Sequence, residues 1–312
     1  MEDKGSLIRT AIDGETLKGV FYLQAALGST TRSGKPYWKM QISDCSGSLN
    51  AYLWDQPTVV PQQGSVIWLS GQGRSFGSKL ICDVISMLEL SEWCGCPLLL
   101  APPDTPFPEE AEKVSGLLSH IEDEELKTVC RKIVSTRQLL DSFLRAPGSL
   151  RHHHAYPGGL IRHTRETMEI VLNQAKELAP IEKDLLVAAA FLHDLGKAFE
   201  YNRFRMSDRG TFLGHEVTLL ELLAPIMDEV WELNHPTRIA LLHFLVAKPA
   251  PQWTGIRHPR SALINILRFA DKLSGEMDMQ SKTNAPTPIQ RIALRMALGK
   301  VQLASNSGEV HS

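Results

Sequence analysis

The spacing of apolar residues changes across one proline-rich segment, and this change constrains the fold of the 312-residue chain more than any other feature. Before residue 93, aromatic and β-branched residues alternate with polar ones in short runs separated by glycine and serine. That period of two is typical of β-strands. After residue 109, apolar residues recur at the spacing of amphipathic helices. The sequence therefore predicts a multidomain protein in which a small all-β part precedes an all-α part.

The alternating runs cover residues 19–27, 36–44, 49–54, 66–73 and 79–90. Five short strands suit a small closed or partly closed β-barrel. Helical patterns cover residues 111–121, 125–144, 160–178, 183–192, 215–233, 237–246 and 261–273. We place the β-domain at 1–92, a linker with five prolines at 93–109, the helical domain at 110–300 and a disordered tail at 301–312.

Composition excludes several classes of protein. Apolar residues make up 43% and charged residues 22% of the chain, as in ordinary globular proteins, which argues against a disordered, collagen-like or membrane-embedded chain. The N-terminus lacks the apolar core of a signal peptide. We therefore expect a cytoplasmic protein whose five cysteines are reduced thiols. A net charge of −2 argues against a protein that coats nucleic acid through its overall charge, although it does not exclude a local basic groove.

The strongest local signal is FLHDLGK at residues 191–197, where an apolar helical run ends in adjacent His193 and Asp194. Burying an aspartate without a partner is costly. A divalent cation would satisfy both side chains, because imidazole and carboxylate ligate the same ions. Gly196 fits a helix end, and Lys197 would place a positive charge near an anionic substrate. The alternative is a surface His-Asp pair beside a helix terminus.

Two further segments carry candidate ligands. In RHHHAYPGGLIRHT at 151–164, Pro-Gly-Gly predicts a turn and His163 lies in the first turn of the helix that follows. The helix dipole disfavours a cationic imidazole there, but it does not disfavour a neutral, metal-bound one. In FADKL at 269–273, Asp271 lies among apolar helix residues, so its carboxylate must be paired or metal-bound.

The order H…HD…D resembles that of the HD-domain metal-dependent phosphohydrolases. Over residues 15–280 the chain is similar to the YhaM-type 3′–5′ exoribonucleases, which join an N-terminal OB-fold to an HD domain. TTRSGKPYW and ISDCSGSLNAYLWD are similar to the family's OB segment. HHHAYPGGLIRHT, FLHDLGK, LGHE and FADKL are similar to its HD motifs, in the same order. The resemblance implies an OB-fold barrel followed by an all-α HD domain.

The resemblance implies that one metal ion is held by His163, His193, Asp194 and Asp271. In binuclear members His215 would join a second ion. Those members carry a His-His pair on the following helix, where this chain has Ala247 and Lys248. A protonated lysine is not a ligand. Either His243, about one turn earlier, substitutes, or one ion is bound and Lys248 contacts phosphate.

The chemistry implied is metal-assisted phosphoester hydrolysis. Asp194 would both ligate the ion and take a proton, and Lys197 would stabilise negative charge on the phosphate. Neighbouring phosphates would contact His153, His154, Arg162 and Arg165. The alternative for the histidine run, residues 152–154, is a solvated loop that binds nothing. Imidazole with carboxylate suits Mn²⁺, Fe²⁺, Co²⁺ or Zn²⁺, and we expect Mn²⁺, with one or two ions per chain.

OB barrels bind single strands by stacking bases on aromatic side chains beside a basic groove. Alternation in the second and third strands places four such side chains on the polar faces: Tyr37, Lys39, Tyr52 and Trp54. Loop cations are Arg32, Lys35 and Arg74. We expect these residues to contact nucleic acid. The alternative is that the aromatic residues cap the barrel or contact the helical domain.

The leading hypothesis is a nuclease that releases nucleotides from the 3′ end of single-stranded RNA, with DNA as a second substrate. Three alternatives stay open: a small-nucleotide phosphohydrolase, a DNA-processing protein related to HD-type conjugative relaxases, and a non-catalytic single-strand-binding protein. We expect single-stranded nucleic acid as the partner, RNA before DNA, and no membrane. A homo-oligomer is compatible with the sequence.

Overall fold

The computed structural model describes residues 4–54, 62–91, 93–202, 205–249 and 254–282. The predicted tail at 301–312 lies outside these residues, as does the predicted helical domain beyond residue 282. Along the described chain, no helix is both long and apolar enough to cross a bilayer.

The N-terminal part is a closed five-stranded barrel. Its strands are β1 (Thr16–Thr30), β2 (Pro36–Asp44), β3 (Gly47–Leu53), β4 (Val66–Phe76) and β5 (Lys79–Leu90). Around the barrel the order is β1-β2-β3-β5-β4, and β1 pairs with β4 to close it. The pairs are antiparallel except for β3 with β5, which is parallel. The predicted OB-like barrel is therefore confirmed.

Side-chain alternation explains why these strands close around a core. On β2, Met40 and Ile42 are fully buried, whereas Lys39 and Gln41 face solvent. The core also takes Phe21 from β1. Because successive strand residues point to opposite faces, the period of two in the sequence is enough to separate the barrel interior from its outer wall.

The C-terminal part contains ten helices among the described residues. They are α1 (Pro108–Leu118), α2 (Glu124–Ile133), α3 (Arg137–Arg145), α4 (Gly159–Gln174), α5 (Pro180–Leu192), α6 (Lys197–Glu200), α7 (Asp208–Phe212), α8 (Gly214–Val230), α9 (Pro236–Val246) and α10 (Leu263–Lys282). A two-stranded hairpin of β6 (Tyr201–Asn202) and β7 (Arg205–Met206) follows α6. The sequence predicted the long helices but not α6, α7 or this hairpin.

The prediction of one helix over 125–144 is wrong. The helix ends at Ile133 and a new one begins at Arg137. Buried apolar residues run to Val134 and resume at Leu139, whereas an unbroken helix would place the next buried positions at Arg137 and Gln138, which are polar and not buried. Breaking the chain at 134–136 lets both apolar faces turn toward the same core, which a straight helix would not allow.

Helix α5 is the centre of the helical core. Its residues Leu185 to Leu192 are buried all round, as expected of a helix without a polar face. Helices α4, α9 and α10 pack against it. The C-terminal end of α5, which leads into His193 and Asp194, therefore lies among these packed helices.

The barrel lies against the helical part through specific contacts. The Cys45 amide donates to the Leu99 carbonyl at 3.0 Å, and the Arg137 guanidinium lies 4.3 Å from the Tyr22 ring centre. The predicted linker adds Leu98 and Ala101 to the helical core. The domain boundaries themselves stay a prediction.

Candidate metal centre

Helix α5 presents the first two candidate ligands at its end. His193 is the C-cap residue and Asp194 follows it. The Nδ1 atom of His193 lies 2.8 Å from the Ala190 carbonyl oxygen. A carbonyl can only accept, so Nδ1 carries the hydrogen and, in the neutral ring, Nε2 keeps a lone pair. The local helix end thus orients this imidazole as a ligand.

Two neighbouring helices supply the other two residues, His163 from α4 and Asp271 from α10. The ligand atoms of all four residues lie within 4.8 Å of one another. His163 Nε2 is 3.1 Å from Asp271 Oδ1 and 3.4 Å from Asp194 Oδ2. It is also 3.4 Å from His193 Nε2. The structure therefore brings together the four residues that the sequence proposed as one metal set.

The ring orientations fit a cation between them. His163 Nδ1 lies 3.0 Å from Ser274 Oγ, and that hydroxyl donates to Glu166 at 2.9 Å. Because the hydroxyl hydrogen is used on Glu166, Ser274 accepts from His163 Nδ1, which leaves a lone pair on Nε2. Two facing imidazole lone pairs beside two carboxylates repel one another unless a cation lies among them. This donor set suits a divalent metal ion.

Without an ion, a proton takes over part of that role. Burial lowers the pKa of His163, but the contacts with Asp194 and Asp271 outweigh it and raise the pKa to about 9. Burial lowers the pKa of His193. Burial also opposes ionisation of Asp194, yet Lys197 and the two imidazoles hold its pKa well below the usual value. The two carboxylates therefore make this site favourable for a positive charge.

Lys197 lies directly on this cluster. Its Nζ is 2.6 Å from Asp194 Oδ2, and this pairing raises the lysine pKa against the effect of burial. Gly196 permits the geometry for a reason that the sequence did not give. Its φ of −60° is ordinary helical backbone, but a Cβ there would lie 2.1 Å from the His215 carbonyl oxygen. Glycine at this position lets α8 approach the HD turn.

That approach brings His215 beside the cluster, with Nε2 3.5 Å from Asp194 Oδ1. Its Nδ1 lies 3.3 Å from Glu200 Oε2. Lys248 instead pairs with Glu216, Nζ to Oε1 at 2.8 Å. His243 is turned elsewhere, since its Nε2 accepts from the Arg260 amide at 3.1 Å. The structure thus brings His215 next to the cluster and turns the His243 ring to the Arg260 amide; a second metal site stays a prediction.

The histidine run packs behind the cluster. His154 is fully buried and its Nε2 lies 3.1 Å from Glu166 Oε2; its backbone has a φ of 50°. Burial lowers the pKa of His153 to about 4. His153 and His154 are therefore not in a solvated loop, whereas His152 is exposed. His153 and His154 lie near His163, with ring centres 5.1 and 5.2 Å from it.

The two candidate arginines of α4 contact protein groups. Arg165 is largely buried against Glu110, at 2.5 Å, and against Glu169. Arg162 lies 5.6 Å from the Phe107 ring centre and 3.6 Å from Glu166. Phosphate contacts by these arginines stay a prediction.

On the barrel, the predicted aromatic residues form one cluster. Trp54 stacks on Tyr52 with ring centres 5.6 Å apart and lies 5.1 Å from Tyr37. Its indole Nε1 donates to Asp83 Oδ1 at 2.9 Å, and Arg74 pairs with the same carboxylate. Two other expected contacts, Arg32 and Lys35, are exposed in the turn between β1 and β2, and Lys39 is exposed on β2.

Sequence reasoning missed the residues that support His163. Ser274 lies three residues after Asp271 and Glu166 three residues after His163, so each shares a helix face with a ligand. That spacing was a usable signal. Glu200 was missed as well, because α6 was not predicted.

Residues 160–276 match the model of the HD domain family. The chain is 23% identical over 280 residues to the 3′–5′ exoribonuclease YhaM of Listeria monocytogenes, covering 86% of this chain and 88% of the relative. It is 26% identical over 291 residues to YhaM of Halalkalibacterium halodurans, covering 86% of each. Among solved structures, the second OB-fold domain of replication protein A from Methanococcus maripaludis covers 28% of this chain and 96% of that one, at 16% identity and a TM-score of 0.25. The sequence resemblance to YhaM is confirmed.

Proposed function

We propose that this HD-domain phosphohydrolase, a relative of the YhaM 3′–5′ exoribonucleases, hydrolyses single-stranded RNA from its 3′ end with a divalent metal ion. The observation that carries the proposal is the convergence of two imidazole nitrogens and two carboxylates within 4.8 Å at the end of α5. Similarity to exoribonucleases over 86% of the chain supports the substrate class.

The ion would be held by His163, His193, Asp194 and Asp271. When bound, it supplies an activated water and neutralises charge on the phosphate. Lys197 places its ammonium beside Asp194, where it stabilises the negative charge that grows on the phosphoryl oxygens. Oδ1 of Asp194 faces His215 and not Lys197, so this oxygen is the one we assign to take the proton from water.

The barrel would hold the strand. Base stacking on aromatic residues contributes about 1–3 kcal/mol per base and tolerates any sequence. Tyr37, Tyr52 and Trp54 offer such a surface on the outer wall, with Lys39 on the same strand face as Tyr37. In this proposal the barrel binds the RNA strand and the helical part carries out hydrolysis.

The test uses the full chain, Mn²⁺ and an RNA oligonucleotide labelled at its 5′ end. We expect shortening from the 3′ end, loss of activity and bound metal in His193→Ala and Asp194→Ala, and no change in His120→Ala, which alters an exposed histidine after α1. An unsubstituted protein that leaves RNA intact contradicts the proposal. Hydrolysis of DNA alone or of free nucleotides alone would assign one of the alternative activities.

Metal identity and number are part of the same proposal. We propose Mn²⁺ as the working ion, against Fe²⁺, Co²⁺ and Zn²⁺, which suit the same donors. A second, weaker site through His215 is proposed beside the first. Titration of the metal-free chain with each ion, followed by elemental analysis, measures both. One ion per chain in excess Mn²⁺ contradicts the second site and leaves the first intact.

A further inference from the structure

A cavity of about 350 Å³ opens directly on the metal cluster, between α8, α9 and α10. One wall contains His193, Asp194 and Asp271. Its volume falls in the range of about 300–1,000 Å³ that is common for small-molecule sites. The cavity is therefore larger than metal-bound water alone requires.

The other lining residues include side chains of two kinds. Five apolar ones, which we call the apolar wall, are Val217, Leu220, Phe244, Leu245 and Leu267. The charged ones are two cations, Lys248 and Arg268, and one carboxylate, Glu216. A phosphate ion gains nothing by contact with apolar side chains, and an apolar molecule cannot pair with the cations. Together they fit a ligand with a flat, weakly polar ring at one end and a phosphate at the other.

Arg268 is the lining residue to which neither the metal site nor the packing of the helices gives a role. It lies three residues before Asp271 on α10, so the two side chains share one face of the helix. Within the ranges that the structure describes, no hydrogen bond or ion pair involves its guanidinium. Lys248, in contrast, is already paired with Glu216. Arg268 is thus a positive charge beside the proposed metal site that has no hydrogen-bond or ion-pair partner among the described residues.

Charge balance indicates what Arg268 binds. Two carboxylates with neutral imidazoles balance a divalent ion, and Lys197 then balances the single charge of a phosphodiester. Hydrolysis turns that phosphodiester into a monophosphate carrying nearly one more negative charge at neutral pH. Arg268 supplies the further positive charge, and a guanidinium binds phosphate oxygens through two parallel hydrogen bonds.

We propose that this cavity holds the 3′-terminal nucleotide, with its base against the apolar wall and its 5′-phosphate on Arg268; the assignment rests on the proposed function. Water adds to phosphorus, and the bond from phosphorus to O3′ of the preceding nucleotide breaks. That O3′ leaves with a proton. The terminal nucleotide keeps the phosphate on its 5′ oxygen and remains in the cavity as a nucleoside 5′-monophosphate.

The test is calorimetric binding to the Mn²⁺-loaded full chain, with adenosine 5′-monophosphate, ribose 5-phosphate and adenosine as probes. We expect adenosine 5′-monophosphate to bind about tenfold tighter than ribose 5-phosphate, because only the former buries a base. Arg268→Gln should weaken its binding by tenfold or more, because a charged hydrogen bond is lost. Lys272→Gln is the matched control, since Lys272 lies on the same helix, is exposed and does not line the cavity.

Equal affinity for adenosine 5′-monophosphate and ribose 5-phosphate would place the base outside the apolar wall and overturn the assignment. Equal effects of Arg268→Gln and Lys272→Gln would show that Arg268 acts only through net charge, which also overturns it. Neither measurement requires turnover. Failure of the proposed function is seen separately, as the absence of RNA hydrolysis by the unsubstituted protein.

Discussion

Removing one buried hydroxyl, in Ser274→Ala, should weaken metal binding without touching a metal ligand. Ser274 is fully buried on α10. Its Oγ accepts from His163 Nδ1 at 3.0 Å and donates to Glu166 Oε2 at 2.9 Å. The hydroxyl thereby fixes the hydrogen of His163 on Nδ1 and the lone pair on Nε2, which is the form that a metal requires.

The magnitude follows from what each partner retains. Glu166 keeps its contact with His154 Nε2 at 3.1 Å, so the cost of Ser274→Ala falls mainly on His163. A buried ring N–H without an acceptor costs about 1–3 kcal/mol. Loss of such an outer partner typically lowers metal affinity about 10–100-fold. We therefore expect Mn²⁺ to bind about 10–100-fold more weakly.

The assay is a Mn²⁺ titration of the metal-free chain, with circular dichroism to show that the variant is folded. Ser281→Ala is the matched control, because it removes an exposed hydroxyl from the same helix. Glu166→Gln should also weaken binding, and the double variant should lose less than the sum of the two, since both act through one chain of hydrogen bonds. Unchanged Mn²⁺ affinity in folded Ser274→Ala would refute the reasoning.

Three other predictions concern the same geometry. The pKa of His163, near 9, lies above its ordinary 6.5. Because a proton competes with the metal, Mn²⁺ affinity should fall as pH drops below 9, and because the folded chain holds that proton more tightly, the metal-free chain should lose stability as pH rises from 6.5 through 9. Metal titrations and urea unfolding across that range measure the two effects, and a His163→Gln variant should lose the pH dependence of stability. Tyr37→Ala combined with Trp54→Ala should raise KM for long RNA with kcat nearly unchanged, because base stacking would stabilise the bound substrate and the transition state equally; a fall in kcat alone would contradict this. Gly196→Ala should destabilise the chain by about 1–3 kcal/mol, because the new methyl would meet the His215 carbonyl at 2.1 Å; a thermal melt equal to that of the unsubstituted protein would show that α8 moves at no cost.

The sequence alone determined the features that depend on near neighbours. The alternating patterns at 36–44 and 79–90 coincide with β2 and β5, because alternation requires only that one face be buried. The HD pair was found because an apolar helix that ends in two ionisable residues is costly without a ligand. The resemblance to HD-domain phosphohydrolases then implied the candidate metal set, before any distance was known.

Tertiary structure decided which side chains face one another across helices. No local pattern shows that His243 turns to the Arg260 amide while His215 reaches Asp194. Nor does the sequence show that Gly196 is required by a neighbouring helix and not by its own φ. Such contacts depend on how α8 packs against α6 and α9, and how α10 packs against α5. Packing angles are set by the whole interface, so residues far apart in the chain settle them jointly.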